Sequence, residues 1–359
     1  MKAIIPTGGR GTRMQPVTFS YNKHFIPIAN KPLIFYPIET IAQTGIEEIG
    51  ITYNPGFYDQ VKGLLGDGSR WGVKFTYVLQ EKPIGLANIV EVCEEFVNGE
   101  PFVFHLGDNI FADGIVEQVD YFRKNKPNGM VTMIHHKDNT RMGVPYFDDR
   151  GRLVKYVEKP ENPPHDFAIP GLYFADHNFF KAFKGKDRIK PSARGEYEIP
   201  SPFQWLIDHD FKVEVMEYKG TWLDPGKFDD WIDANQYILD TRLVGNADKD
   251  LGNNSFAENR VSVGVDCEIV DSQIRGPVII GDKVTIKGSY IGPYTSIADN
   301  SIIEDSHVEN SVIMDGVKIS QIEQPIDCSL IGSETTVCES TGPTSTVRLF
   351  VGNKCRIEL

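Results

Sequence analysis

A six-residue repeat runs through the C-terminal part of this 359-residue chain. Most copies contain an aliphatic residue, a glycine, four variable residues and a second aliphatic residue, and two copies keep the step without the glycine. This period places one inward-pointing aliphatic side chain on each short face of a coil, so that stacked coils bury a continuous apolar column. The repeat therefore predicts a parallel β-helix. Its copies run from Val263 to Ile269, Ile280 to Ile286, Ile291 to Ile297, Ile302 to Val308, Ile313 to Ile319, Ile331 to Val337 and Val351 to Ile357.

The segment before the repeat is rich in glycine, asparagine and aspartate, which favour turns and loops. The helical spacing of apolar residues ends at Leu243, and the repeat begins soon afterwards. We therefore expect a first domain over residues 1–243, a linker over 244–257 and the β-helix over 258–359. The chain is long enough for two domains that each bury their own core.

Short apolar runs alternate with helical patterns in the first domain. This alternation predicts an α/β fold with a mostly parallel sheet, in which ligands bind beyond the carboxyl ends of the strands. The segment from Leu86 to Phe96 is predicted to be a helix. The predicted strands are Ala3 to Ile5, Ile49 to Tyr53, Phe75 to Leu79 and Phe102 to Leu106.

A glycine-rich loop follows the first predicted strand. Gly8, Gly9 and Gly11 lack a Cβ, so successive backbone N–H groups can turn toward an anion, and Arg13 and Lys23 add positive charge. The spacing fits neither a Walker loop nor a complete dinucleotide-binding fingerprint. The loop indicates a phosphate site of another kind, or an ordinary glycine turn at the end of a strand.

Two aspartates are candidates for a metal site. Asp108 follows a predicted strand in Gly107-Asp108-Asn109, and Asp224 precedes Pro225. Mg²⁺ accepts one or two carboxylates together with substrate phosphates and water, so two aspartates from distant loops are chemically sufficient. Each motif alone is also typical of a turn.

Two further segments carry candidate binding groups. Gln80 can donate to and accept from the edge of a base, and Gly85 would let backbone approach a flat ring, although a surface loop would read the same way. Glu158 and Lys159 end an alternating segment before a proline. Because neighbouring strand residues point to opposite faces, we expect these two side chains not to be simply each other's ion pair.

The separated motifs together resemble the sugar-1-phosphate nucleotidylyltransferases. The likeness covers essentially the whole chain and is strongest to the longer glucose-1-phosphate thymidylyltransferases, which carry a C-terminal hexapeptide domain. The resemblance implies a Rossmann-like catalytic domain followed by a left-handed β-helix. The matching segments, in order, are Gly8 to Arg13, Asn22 to Pro27, Asn30 to Pro32, Leu106 to Asn109 and Glu158 to Pro160.

The resemblance also implies a role for each motif residue in this sequence. The catalytic set would be Arg13, Lys23, Asp108 and Asp224, with Asp108 and Asp224 holding Mg²⁺. The substrates would be a nucleoside triphosphate, dTTP being favoured over UTP, and a sugar 1-phosphate. Nucleotide contacts would come from Gly8, Gly9, Gly11, Thr12, Arg13, Gln80 and Gly85. Sugar-phosphate contacts would come from Gly143, Glu158, Lys159 and Arg194.

Composition limits the partners and the compartment. The formal net charge is −13, and no basic stripe is available to neutralise a nucleic-acid backbone. No apolar stretch is long enough for a membrane helix, and no signal peptide is recognisable, so we expect a cytoplasmic protein. The five cysteines are widely spaced and fit reduced thiols. The hexapeptide domain favours a homo-oligomer.

Three other functions are compatible with the same motifs. One is a uridylyltransferase for N-acetylglucosamine 1-phosphate, with acetyltransferase activity in the β-helix. Such acyltransferases generally need a histidine, and His307 is the one histidine after residue 243. A guanylyltransferase acting on mannose 1-phosphate agrees less well with Gln80. The third is a sensor that binds sugar nucleotides without turnover, for which a pair of metal-binding aspartates would be unnecessary.

Overall fold

The computed structural model describes residues 1–9 and 11–339. Arg10, Cys355 and the repeat copy from Val351 to Ile357 lie outside the described residues. The described chain divides into two compact units. The first contains residues 1–9 and 34–223, and the second contains residues 11–33 and 224–339. None of the helices in this described part is long and apolar enough to cross a membrane.

Helices and strands alternate in the first two thirds of the chain. The α-helices are α1 (Phe35–Ala42), α2 (Tyr58–Leu65), α3 (Leu86–Glu91), α4 (Glu94–Val97), α5 (Val116–Asn125), α6 (Pro200–Asp208) and α7 (Phe228–Arg242). Short 3-10 helices occupy Thr12–Met14, Val17–Phe19, Lys23–Phe25, Ser69–Trp71, Asn139–Arg141 and His177–Phe183.

The strands that precede α7 are β1 (Lys2–Pro6), β2 (Pro27–Ile28), β3 (Lys31–Pro32), β4 (Glu48–Tyr53), β5 (Lys74–Leu79), β6 (Phe102–His105), β7 (Ile110–Phe111), β8 (Gly129–His135), β9 (Gly143–Phe147), β10 (Leu153–Glu158), β11 (Phe167–Ala168), β12 (Leu172–Ala175), β13 (Val213–Glu217) and β14 (Trp222–Leu223).

The strands that follow α7 are β15 (Asp250–Gly252), β16 (Ser255–Glu258), β17 (Val261–Val263), β18 (Glu268–Val270), β19 (Gln273–Arg275), β20 (Val278–Ile280), β21 (Thr285–Lys287), β22 (Tyr290–Ile291), β23 (Thr295–Ile297), β24 (Ile302–Val308), β25 (Val312–Ile313), β26 (Lys318–Ile326), β27 (Leu330–Ile331) and β28 (Thr336–Cys338).

An eight-stranded mixed sheet forms the first unit, in the order β11-β8-β12-β6-β1-β4-β5, with β13 also paired to β8. The central strand β1 is parallel to β6 on one side and to β4 on the other. Its residues Ala3, Ile4 and Ile5 are fully buried, as expected for an apolar run covered on both faces. The predicted α/β fold with a largely parallel sheet is confirmed.

The predicted helix from Leu86 to Phe96 is divided in the structure. α3 ends at Glu91 and α4 begins at Glu94, because Cys93 leaves the helical region at φ −89° and ψ 3°. Cys93 and Val97 are both fully buried in the core of this unit. The break between the two short helices therefore lies against the core of this unit.

Short parallel strands form successive coils in the second unit. Residues 17 positions apart pair with each other in the first coils, as Ser255, Ser272, Ser289 and Ser306 show. In each pair the backbone N–H of the later serine donates to the hydroxyl of the earlier one, at 3.1–3.2 Å. These stacked parallel strands are consistent with the predicted β-helix. The inward aliphatic column includes Ile269, Ile286, Ile303, Ile319 and Val337.

The structure differs from the predicted linker over residues 244–257. β15 and β16 form an antiparallel hairpin within it, and β16 pairs in parallel with β19. Asn253 and Asn254 make the two-residue turn with φ of 48° and 56°, a conformation that asparagine tolerates. Ala257 is buried in the apolar column, so this segment already belongs to the coils.

A buried asparagine on α7 ties a second hairpin to the coils. Asn235 is 1% exposed, and its Oδ1 accepts from the backbone N–H of Ala29 at 2.8 Å and from the hydroxyl of Ser296 at 3.0 Å. Its Nδ2 donates to the carbonyl oxygen of Tyr294 at 3.0 Å. Ala29 and Asn30 form the turn between β2 and β3, both with left-handed φ. The hairpin that follows the Lys23–Phe25 helix is therefore fixed to the coil strands.

Candidate active site

Polar groups follow four neighbouring parallel strands of the first unit. β6, β1, β4 and β5 lie side by side in that order, so their carboxyl ends meet at one edge of the sheet. Asp108 follows β6, Gly8 and Gly9 follow β1, Asn54 follows β4 and Gln80 follows β5. In open α/β sheets this edge is where ligands bind.

The first part of the glycine loop is anchored to the neighbouring strand. The backbone N–H and hydroxyl of Thr7 both donate to the carbonyl oxygen of Thr52, at 2.9 and 2.7 Å. A Cβ at Gly8 would lie 2.5 Å from Oδ1 of Asn54, and Gly9 has a φ of 132° that other residues rarely adopt. The backbone conformation therefore favours glycine at position 9, whereas a larger residue at position 8 would require the Asn54 side chain to shift.

The later part of the loop belongs to the second unit and packs on Lys23. Gly11 has a φ of 53°, and a Cβ there would lie 2.8 Å from Cγ2 of Thr18 and 3.3 Å from Cβ of Lys23. Lys23 begins a 3-10 helix and is 7% exposed. The side chain of Asn22 caps that helix by accepting from the backbone N–H of His24 at 3.0 Å. Lys23 is thus held in a fixed, nearly buried position.

Arg13 lies beside the loop that carries Asp224. A Cβ at Gly226 would come within 3.1 Å of a guanidinium nitrogen of Arg13. The carbonyl oxygen of Asp224 accepts from the backbone N–H of Gly226 at 2.7 Å, which closes a tight turn around Pro225. The second unit therefore places the exposed Arg13 beside the turn that contains the half-buried Asp224. Thr12 precedes this arginine and is exposed.

The Asp108 turn is fixed by its neighbour Asn109. Asn109 is buried, and its Nδ2 donates to Oδ1 of Asp108 at 3.1 Å. Its Oδ1 accepts from the backbone N–H of Gly171 at 3.1 Å and from the indole N–H of Trp222 at 2.9 Å. Asp108 itself is half-buried. The asparagine orients one carboxylate oxygen and leaves the group at the edge of the sheet.

A neutral histidine ends the strand before this turn. Burial lowers the pKa of His105 to about 4, against the opposing effects of its bond to the Leu106 carbonyl oxygen and of the Asp108 charge. Its Nδ1 lies 2.8 Å from that carbonyl oxygen, so Nδ1 carries the hydrogen and donates it. At neutral pH the Asp108 turn therefore has no cationic histidine beside it.

The residues proposed to read the base are tightly packed. Gln80 is 3% exposed. Gly85 has a φ of 114°, and a Cβ there would lie 2.4 Å from the carbonyl oxygen of Tyr197, whose segment bonds to the chain on both sides of Gly85. This packing alone is a sufficient reason for a glycine at position 85, and contact with a base remains a prediction.

Gly143 is likewise required by packing. A Cβ there would lie 2.3 Å from the ring of Tyr156, which is nearly fully buried on the adjoining strand. Gly143 pairs with Glu158 in the ladder between β9 and β10. The glycine therefore brings its backbone close to the end of β10, where Glu158 and Lys159 lie.

The expectation that Glu158 and Lys159 would not pair is wrong. Nζ of Lys159 lies 3.3 Å from Oε1 of Glu158. β10 ends at Glu158, and Lys159 has a left-handed φ of 49°, so the alternation of side chains stops before the lysine and its side chain can fold back. Burial raises the pKa of the Glu158 carboxyl, while Lys159 opposes that shift.

Arg194 joins the same electrostatic cluster through Glu198. A guanidinium nitrogen of Arg194 lies 2.9 Å from Oε1 of Glu198, which also accepts from the hydroxyl of Ser192 at 2.9 Å. Arg194 and Glu198 both act on the pKa of Glu158, the first lowering it and the second raising it. The two cations and two carboxylates form a compact, nearly neutral group in the first unit.

The structure therefore assigns the predicted residues to both units. The second unit contains Gly11, Thr12, Arg13, Lys23 and Asp224. The first unit contains Gly8, Gly9, Gln80, Gly85, Asp108, Gly143, Glu158, Lys159 and Arg194.

Sequence reasoning missed several polar residues that contact these groups. Asn54 follows a strand directly, so the rule that singled out Asp108 could also have found it. Glu198 lies four positions after Arg194, within a segment where the chain is not helical, so its pairing had no sequence signal. Asn88 contacts Gln80, and Glu91 contacts Asn88, whereas the sequence pattern predicts only a helix for this segment.

An α/β sheet that carries a glycine loop, an aspartate turn and side-chain amides at one edge has the architecture of a nucleotidyltransferase. The chain belongs to the nucleotidyl transferase family, whose family model matches residues 2–241.

Similar proteins extend this match to the whole chain. The glucose-1-phosphate thymidylyltransferase of Streptomyces griseus is 34% identical over 362 residues, covering 100% of this chain and 99% of the relative. The low-salt glycan biosynthesis nucleotidyltransferase Agl11 of Haloferax volcanii is 33% identical, with 100% of both chains covered. A solved Bacillus anthracis structure in complex with sucrose, provisionally named a glucose-1-phosphate thymidylyltransferase, is 33% identical with a TM-score of 0.62, covering 69% of this chain and 98% of that one.

Proposed function

We propose that this protein transfers a nucleotidyl group from dTTP, with UTP as a second donor, to glucose 1-phosphate and releases pyrophosphate. The observation that carries the proposal is the common sheet edge at which Gly8, Asn54, Gln80 and Asp108 follow four adjacent parallel strands. The end-to-end likeness to the Streptomyces griseus enzyme supports this choice of substrates.

The reaction needs positioning and charge neutralisation more than proton transfer. A phosphate oxygen of the sugar phosphate attacks the α-phosphorus in line, and the bond to the pyrophosphate oxygen breaks. The attacking oxygen is already anionic at neutral pH, so no general base is required. The protein must hold two mutually repelling anions in line and stabilise the charge that moves to the leaving group.

Each charged residue has a defined part in this scheme. Arg13 and the loop amides of Gly8, Gly9 and Gly11 take the triphosphate and the departing pyrophosphate, while Lys23 faces the reacting phosphates. Lys23 suits this part because it is nearly buried, where a charge interacts more strongly than in water. Thr12, which is exposed, adds a hydroxyl to the triphosphate site.

The cluster around Glu158 is proposed to bind the sugar phosphate. Lys159 and Arg194 would take the phosphate, and Glu158 the sugar hydroxyls, with Gly143 offering backbone groups. Both cations already pair with carboxylates, at 3.3 and 2.9 Å. An arriving phosphate would replace those partners, which fits recognition of a dianion by charge-assisted hydrogen bonds.

We infer that Asp108 and Asp224 hold Mg²⁺. Both are half-buried, and the Asn109 amide orients one oxygen of Asp108 in the way expected of a hard oxygen ligand. Among the described residues no group of three or more histidine, cysteine, aspartate or glutamate side chains forms a metal cluster. Two carboxylates completed by substrate phosphates suit Mg²⁺, which when bound would neutralise charge on the α-phosphate.

We further propose that residues 1–243 form the catalytic domain and that the coils that begin with β15 form a left-handed hexapeptide β-helix. The family match over residues 2–241 and the parallel coils of the second unit support this division. The β-helix is proposed to serve assembly of a homo-oligomer in the cytoplasm. The molecular mass of the whole protein in solution tests whether it is an oligomer.

The test is pyrophosphate release with Mg²⁺ from dTTP, UTP, CTP and GTP against glucose, N-acetylglucosamine and mannose 1-phosphates. We expect the highest kcat/KM with dTTP and glucose 1-phosphate. Preference for UTP with the N-acetyl sugar would replace this proposal with the uridylyltransferase. No turnover with any pair would favour a sensor.

A charge-matched pair of variants tests the metal assignment. Asp108→Asn removes one carboxylate charge from the aspartate turn and should abolish turnover while leaving the thermal unfolding midpoint nearly unchanged. Asp149→Asn makes the same change at an exposed position and should keep full activity. Near-normal turnover in the Asp108 variant would refute the metal role.

A further inference from the structure

Four side chains form a continuous hydrogen-bonded chain beside the proposed base site. Nδ2 of Asn54 donates to Oε1 of Gln80 at 3.2 Å, and Nε2 of Gln80 donates to Oδ1 of Asn88 at 3.1 Å. Nδ2 of Asn88 in turn donates to Oε2 of Glu91 at 2.9 Å. Asn54 and Gln80 follow adjacent strands, while Asn88 and Glu91 lie on α3. All four residues belong to the first unit.

The direction of this chain is fixed at both ends by groups that can only accept. The ionised carboxylate of Glu91 has no hydrogen to donate, so the NH₂ group of Asn88 must face it. Oδ1 of Asn88 then faces Gln80, whose own NH₂ group must turn toward it. At the other end, Nδ2 of Asn54 also donates to the main-chain carbonyl oxygen of Gln80 at 3.2 Å. Oε1 of Gln80 must therefore face Asn54.

The side-chain amide of an unrestrained glutamine has no fixed direction. Its amide can rotate by half a turn and exchange donor for acceptor, so it pairs equally well with a keto base or an amino base. Gln80 is 3% exposed and cannot exchange its ends without breaking bonds to both neighbours. One N–H of Nε2 and one lone pair of Oε1 remain to meet a ligand, and their order in space is set by the network.

We propose that Glu91, acting through Asn88, is a positioning residue that restricts the nucleotide to keto pyrimidines. Thymine and uracil carry an N3–H donor beside a 4-carbonyl acceptor, whereas cytosine has an acceptor at N3 beside a 4-amino donor. An amide of fixed direction that fits the first pair places donor against donor and lone pair against lone pair on cytosine. This inference rests on the proposed function, in which dTTP and UTP are the nucleotide donors.

Binding measurements test the inference without requiring turnover. The Kd values of dTTP and dCTP are measured by calorimetry for the unmodified protein and for Glu91→Gln. The introduced amide can donate as well as accept, so Asn88 and Gln80 are free to reverse. We expect the preference for dTTP to fall about tenfold, since roughly one to two hydrogen bonds per nucleotide lose their fixed direction.

Two further variants separate orientation from charge and folding. Glu95→Gln makes the same change on α4 at an exposed position and should leave the preference unchanged. The double variant Asn88→Asp with Glu91→Gln moves the acceptor-only carboxylate one position toward Gln80 at constant net charge. It should restore the preference for dTTP, an effect that a merely structural role for Glu91 does not produce.

The outcomes distinguish this inference from the proposed function. An unchanged dTTP preference in Glu91→Gln, or a double variant that fails to recover it, overturns the role of Glu91. If the unmodified protein binds neither dTTP nor dCTP, the role of Glu91 is also overturned. Pyrophosphate release by the unmodified protein is scored separately, so normal turnover with an unaltered base preference rejects the inference and leaves the transferase standing.

Discussion

Replacing Asn235 by alanine should destabilise the second unit strongly. The side chain is 1% exposed and makes three hydrogen bonds, to the backbone N–H of Ala29, the hydroxyl of Ser296 and the carbonyl oxygen of Tyr294. A typical hydrogen bond contributes about 1 kcal/mol net, and a buried partner left unsatisfied costs about 1–3 kcal/mol. The free energy of unfolding should therefore fall by about 3–5 kcal/mol, a large part of the roughly 5–15 kcal/mol typical of a domain.

Urea unfolding followed by tryptophan fluorescence and circular dichroism measures this loss. Asp233→Ala, an exposed change two residues away on α7, should shift the unfolding free energy by less than about 0.5 kcal/mol. Asn235→Asp keeps both accepting contacts but turns a second carboxyl oxygen toward the carbonyl oxygen of Tyr294 at a buried position, so it should destabilise the second unit as well. A loss below about 1 kcal/mol for Asn235→Ala would refute the reasoning, because it would fall short of even a single unsatisfied partner.

Two other outcomes concern the cores of the two units. His105 has a folded-state pKa of about 4, below its unfolded value, so its contribution to stability is full above about pH 6.5 and is lost as pH falls toward 4. Thermal unfolding of the metal-free protein should show a loss of up to roughly 3 kcal/mol across that window, and His105→Gln should flatten it. Ile286→Ala, at a fully buried coil position, should cost about 2–5 kcal/mol in urea unfolding. Ile279→Ala on the partly exposed face should cost less than about 1 kcal/mol, and equal losses would contradict the inward column.

Much of the fold follows from local pattern in the sequence. The apolar runs at Ala3 to Ile5 and Phe102 to Leu106 predict strands that are buried on both faces of the sheet. Such strands are continuously apolar and do not alternate with polar residues. The six-residue spacing predicts the coils because each inward position repeats its chemistry. Each pattern depends on residues that lie close together in the chain. The two strands are confirmed, and the parallel strands of the described part of the second unit are consistent with the coils.

Other features depend on contacts that the sequence does not reveal. The ion pair of Glu158 with Lys159 forms because a single left-handed residue ends the strand, and nothing in a Glu-Lys-Pro segment specifies that φ. Likewise Asn54 meets Gln80 only because two strands that are separated in sequence become neighbours in the sheet. The sequence thus predicts which individual residues lie near the site, whereas the residues that they contact can be identified only from the folded structure.

The 17-residue spacing of the serine bonds gives the first coils a common length. Gain or loss of one whole coil leaves every inward aliphatic position inward, whereas a partial insertion must bulge out as a loop or disturb the column. The coil around Tyr294 is already tied to α7, and Nδ2 of Asn30 donates to the carbonyl oxygen of Ile297 at 2.6 Å. Loss of that coil would therefore remove bonds to α7 and to the hairpin of β2 and β3 as well as one step of the apolar column.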